Sequence, residues 1–132
     1  MARLLLVAQG ARLRGWAAAA RDDYLARMPR GYAVQCVDKV PRGARIVALD
    51  EGGETLSSAQ FAAALAGWAG AQAATAFVVG GPDGLDAQTR KDAALLVRLS
   101  ALTLPHALAQ VVLAEQLYRA ATLLTGHPYH RE

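Results

Sequence analysis

The sequence predicts a single α/β domain with a mostly parallel sheet flanked by helices, and three observations predict it. Short apolar runs recur at Arg3–Gln9, Arg45–Leu49, Thr75–Val79 and Leu95–Leu99, the pattern of strands buried on both faces. Stretches with helical spacing of apolar side chains lie between them, so strands and helices alternate. The length of 132 residues suits one domain, 1–132, in which roughly two-thirds of the unfolded chain's surface can be buried, so neither a disulfide nor a structural metal is required.

The first run, Arg3–Gln9, is closed by Gly10. A helix is expected over Trp16–Met28, with Trp16, Ala20, Tyr24 and Met28 at successive i+4 positions and Pro29 and Gly31 ending it. Ala33–Val37 is a second strand candidate, and RIVAL at 45–49 is a third, followed by a turn at Gly52 and Gly53. Only residues 38–44 join these two strands, fewer than the dozen or so that a parallel crossover needs, so Ala33–Val37 is expected to be antiparallel, peripheral or irregular. Ser57 or Ser58 can cap a helix that places Phe61, Leu65 and Trp68 on one face. Thr75–Val79 is a strand, Asp86–Ala94 a short helix and Leu95–Leu99 the last strand. His106–Leu124 is a long helix with Glu115 and Arg119 paired at i, i+4 and Gly126 at its stop. The polar ending His127–Glu132 is expected at the surface.

Composition excludes several classes. Leu4–Ala8 is too short for a signal-peptide core. Thr55–Pro82 runs 28 residues without a charge, but its Ser, Gln, Gly and Thr residues and its change from helical to β-branched patterning divide it into two elements rather than a membrane span. With the lone Cys36, which has no internal disulfide partner, this points to a cytoplasmic protein without a membrane partner. Fourteen basic against eleven acidic residues, a net charge of +3, permit a polyanionic partner without demanding one.

In open α/β sheets ligands bind beyond the carboxyl ends of the strands, so the loops after Leu49, Val79 and Leu99 are the places for chemistry. Gly80–Gly84 reads GGPDG, whose glycines allow close backbone approach and free amide donors, although a plain tight turn would use the same residues. It is neither a Walker loop nor a dinucleotide fingerprint, which disfavours phosphate binding. The apolar loop Ser100–Pro105 suits a flat, mostly neutral ligand such as adenine read through the main chain, or simply packs around a helix start. The ending HPYHRE offers imidazoles, a phenol and a guanidinium to RNA, or is a solvated tail. The three histidines lack the spacing of a metal site, so no metal is expected.

IVALD at 46–50, GGPDG at 80–84, LSALTLPH at 99–106, LAEQLYRA at 113–120 and the HPYHRE ending, taken in this order, resemble the ribosomal RNA large-subunit methyltransferase H family, small knotted methyltransferases of the SPOUT class. The resemblance is strong over 45–132 and looser over the N-terminal strand and helix. It implies a SPOUT-type α/β fold with a C-terminal trefoil knot, about 75–125, an exception to the rule against threaded chains. It further implies a homodimer that uses S-adenosylmethionine to methylate N3 of a pseudouridine in 23S rRNA on the assembled ribosome, with no DNA partner. Carried onto this chain, the resemblance assigns the cofactor pocket to Leu49, Gly80, Leu99, Ser100, Ala101, Leu102, Thr103 and Leu104. It assigns the RNA site and catalysis to Tyr129, His130 and Arg131, across the dimer interface. His130 could accept the departing N3 proton, or Arg131 could lower the cost of the anion.

One departure bears on function. Members of the family carry a basic loop and a helix before the IVALD strand, where this chain has only VDKVPRGAR. The shortfall removes charge that could contact rRNA and is expected to uncover part of one sheet face. A SPOUT-like dimer that binds S-adenosylmethionine but has lost rRNA modification is therefore the alternative function.

Overall fold

The computed structural model describes residues 3–10 and 12–131, with side chains through 129. Five strands, β1 (Leu4–Ala8), β2 (Val34–Val37), β3 (Arg45–Thr55), β4 (Thr75–Val79) and β5 (Leu95–Arg98), form one sheet in the order β2-β1-β4-β3-β5. Every pair is parallel. The helices are α1 (Gly15–Ala26), α2 (Ser58–Gly70), α3 (Ala87–Asp92) and α4 (His106–Thr125), followed by a 3-10 turn at Pro128–Arg131. No helix among the described residues is long and apolar enough to cross a membrane.

The sequences LLLVA and TAFVV occupy interior strands, and each is apolar on both faces because each face is covered. Leu4, Leu6, Val47, Phe77, Val79 and Val97 point to one side, where Phe61 and Leu65 of α2 and Leu113 and Leu117 of α4 close the main core. Leu5, Val7, Ala48, Ala76 and Val78 point to the other, beneath Val40, Ala44, Leu85 and Ala93.

The short link at 38–44 is reconciled by strand order. β2 is peripheral, as expected, but parallel to β1. It is separated from β3 by β1 and β4, so the link is a diagonal traverse of the second face rather than a crossover between neighbours. Val40 and Ala44 pack on that face as the link passes. Its centre is closed, with Leu5, Val7, Ala48, Ala76 and Val78 all at most 3% exposed, while Val37, Ile46 and Leu96 on the same side are only half-buried.

Two other expectations change. Gly52 and Gly53 do not end β3. The strand pairs with β5 through Leu49, loops out, and pairs again at Glu54 and Thr55, a bulge of the kind that re-aims a strand beside a site. Gly53 is required there, since a Cβ would stand 2.6 Å from the carbonyl carbon of Leu96. In α1, Trp16 is 67% exposed while Ala17 is buried. Steps of four residues rotate about 40° past a full turn, so a strict i+4 series cannot keep Trp16 and Met28 on one face. Arg21 lies on the inner side instead, with Nη1 donating to Oε1 of the buried Gln110 at 2.7 Å.

The helix ends follow local chemistry. Ser57 and Gln60 form a reciprocal capping box at the start of α2, and Phe61, Trp68 and Phe77 meet edge to face or tilted beneath it. Gly126 closes α4 at φ 79°.

Candidate active site

The carboxyl ends of β3, β4 and β5 surround a cleft of about 790 Å³, within the range of small-molecule sites. Its walls are Leu49–Gly52, Val79–Leu85 and the loop from Leu99 into α4, with Arg90 and Arg98 adding charge. Of the eight positions expected to form a cofactor pocket, Leu49, Gly80, Leu99, Ser100, Leu102, Thr103 and Leu104 line this cleft. Ala101 is exposed and lies outside its wall.

Gly80 is set by close packing. A Cβ there would stand 2.4 Å from the carbonyl carbon of Gly84 and 2.5 Å from the nitrogen of Leu85. The loop doubles back on itself, with Gly84 N donating to Gly81 O at 2.9 Å and Gly84 at φ 86°, a conformation that favours glycine. The GGPDG segment is thus a tight turn and a cleft wall at once.

The loop after β5 is tightened by Leu102 N donating to Ser100 Oγ at 2.9 Å. Among the described residues, the N–H groups of Ala101, Thr103 and Leu104 meet no partner in the protein. Leu102 is 78% exposed although it borders the cleft. Free main-chain donors beside exposed apolar carbon are what a flat heteroaromatic ligand requires. His106, which sequence alone treats as a helix-start residue, also lines the cleft.

Sequence reasoning missed a charged pair in this wall. Asp50 and Arg90 meet in two contacts, Arg90 Nη2 to Asp50 Oδ1 at 2.8 Å and Nη1 to Oδ2 at 3.2 Å. Asp50 Oδ2 also accepts from Gly52 N at 3.0 Å. This joins the β3 bulge to α3 at the cleft and leaves Asp50 only 12% exposed. The sole signal in the sequence was the place of Asp50 directly after RIVAL.

Tyr129 stands apart from this wall, packed on the C-terminal half of α4. Its ring lies edge-on to Tyr118 at 4.6 Å, and its hydroxyl donates to Glu115 Oε2 at 2.7 Å. Arg119 stacks over the ring and pairs with the same carboxylate. Burial, and then the bond to Glu115, push the phenol well above its ordinary value. The expected surface ending is therefore divided, with His127 and Pro128 exposed and Tyr129 half-buried. The side chains of His130 and Arg131 lie outside the described residues.

A protein-family model described as "Predicted SPOUT methyltransferase" matches residues 32–130. A protein named Ribosomal RNA large subunit methyltransferase H from Polynucleobacter asymbioticus is 42% identical over 146 residues, covering 98% of this chain and 99% of its own. The chain belongs to the ribosomal RNA large subunit methyltransferase H family of SPOUT methyltransferases. Other members with the same name, from Verminephrobacter eiseniae and Leptothrix cholodnii, are each 44% identical over 154 and 155 residues, with the same coverage. Because both chains are covered nearly end to end, while 154 aligned positions face only 132 residues, at least 22 positions of that family alignment have no residue here and lie within the chain. The α/β fold with its all-parallel sheet is the architecture expected from the family resemblance.

Proposed function

We propose that this family member uses S-adenosylmethionine to methylate N3 of a pseudouridine in 23S rRNA on the assembled ribosome. The observation that carries the reading is the convergence of three strand-end loops on a cleft with free amide donors at Thr103 and Leu104 and the exposed Leu102. The fit to the cofactor is chemical. Leu49, Val79, Leu99, Leu102 and Leu104 offer apolar walls to an adenine, the amides of Thr103 and Leu104 offer donors to its ring nitrogens, and Gly80 lets the backbone come close. When bound, S-adenosylmethionine supplies an electrophilic methyl group on a sulfonium.

The protein's own work is to hold the acceptor nitrogen in line with that methyl group and to exclude water. The N3 proton must also leave. In this proposal the neutral imidazole of His130 accepts it and the Arg131 guanidinium stabilises the developing anion. Tyr129 serves as an anchor rather than a base, because its phenol keeps its proton and donates the hydrogen bond to Glu115. Tyr129 and the cleft occupy different parts of one chain, which supports a homodimer whose ending completes the partner's cleft, and a trefoil knot over about 75–125 belongs to the same proposal. His130→Ala is expected to lower single-turnover methylation by about a hundredfold while calorimetry with S-adenosylmethionine shows an affinity within about twofold of the unchanged chain. An unaltered rate removes the ending from the chemistry.

The internal shortfall of at least 22 positions against a family member favours one second reading. If the absent residues are the basic segment before β3, a dimer that binds the cofactor without modifying rRNA results. Cofactor binding without methyl transfer distinguishes it from the first.

A further inference from the structure

The glycine-rich loop needs more than its own turn to hold its place. It leaves the sheet at Val79 and ends at Asp86, which caps α3 by accepting from Thr89 N at 2.7 Å. That end is tied to a residue far away in sequence, Gln9, just beyond β1. Gln9 uses both ends of its carboxamide. Nε2 donates to Asp86 Oδ2 at 2.8 Å and to Thr89 Oγ1 at 2.9 Å, while Oε1 accepts from Asp86 N at 3.2 Å. Its own backbone N donates to Val79 O at 2.8 Å, so Gln9 touches the loop at its entry and its exit. Between these points the backbones nearly touch. A Cβ on Gly81 would stand 3.1 Å from Gln9 O, and one on Gly10 would stand 3.1 Å from the Cα of Gly81.

We propose that Gln9 is a positioning residue of the cofactor cleft, clamping Asp86 and Thr89 so that the loop 80–85 presents a preset wall to S-adenosylmethionine. The inference rests on the cofactor reading above. Gln9, Asp86 and Thr89 do not line the cleft, whereas every residue from Gly80 to Leu85 does, so the clamp acts through the loop and not by touching the ligand. A carboxamide can donate to a carboxylate and accept from an amide at once. Preset walls favour binding because less ordering is left to the moment of association.

Calorimetry with S-adenosylmethionine on the full chain and its variants tests this. Gln9→Glu sets a second carboxylate against Asp86 and removes both donated bonds, so the dissociation constant is expected to rise about tenfold. Adding Asp86→Asn reverses donor and acceptor across the pair and is expected to return the affinity to within about threefold of the unchanged chain. Gln9→Ala, which adds no repulsion, serves as the milder variant, with a rise of about threefold. Amide exchange on the same proteins should quicken at 80–86 while β1 and β4 stay protected, a localisation that general loss of fold would not show. Equal affinity of Gln9→Glu and the unchanged chain overturns the role of Gln9, as does exchange that quickens throughout the sheet. Failure of the unchanged chain to bind is a different result, and overturns the cofactor reading itself.

Discussion

Tyr129 donates a hydrogen bond to Glu115 and packs its ring against Tyr118 and Arg119, and this has a pH consequence. Its folded value is raised above 10.0, so the stability it contributes is fully present below that pH and is lost as pH rises through the folded value. A spectrophotometric titration is expected to show a tyrosine step displaced upward from the ordinary range. Tyr129→Phe should remove that late step, and a titration that the substitution leaves unchanged in its late region would contradict the contact. Individual residues were legible where a loop's place after a strand decides their surroundings, as for Leu49, Gly80 and Leu99. The Asp50–Arg90 pair was not, because its members lie 40 positions apart and meet only through the folding of β3 against α3.

The elements were legible where apolar patterning is strong and ambiguous where pairing decides. LLLVA, RIVAL and TAFVV declare themselves as strands, and the capping box at Ser57 declares the start of α2. The direction of β2 was not decidable locally, since a seven-residue link forbids only a parallel neighbour and says nothing of a strand three places away. The β3 bulge was hidden because two glycines signal a turn as readily as a close approach to β5. The loop after β4 carries the firmest prediction at this scale. Gly80→Ala forces a methyl group against the backbone of Gly84 and Leu85, where nothing can rotate aside, at an expected cost of about 1–3 kcal/mol. Denaturant unfolding should show that loss, and calorimetry should show cofactor affinity reduced by at least about tenfold. An unchanged affinity would remove the glycine loop from the pocket.

At the scale of the molecule, α4 lies between α1 and α2 over the main core, and its Leu117 and Tyr118 are spent within the chain. Leu108, Val111 and Val112, half-buried, and the exposed Trp16 remain for contact with a second copy. Sedimentation at micromolar concentration is expected to give about twice the 13.9 kDa chain mass, and a monomer would contradict a shared RNA site. The traverse at 38–44 packs Val40 and Ala44 on the second sheet face, so the sheet is complete in a chain at least 22 positions short of a relative, and under the proposed function any loss would fall on recognition of the ribosome. Mass spectrometry of 23S rRNA, taken from unmodified ribosomes incubated with the protein and S-adenosylmethionine, tests this most directly. One added methyl group on N3 of a pseudouridine, dependent on cofactor, is the expected result. Unchanged rRNA, from a chain that binds the cofactor, would contradict it.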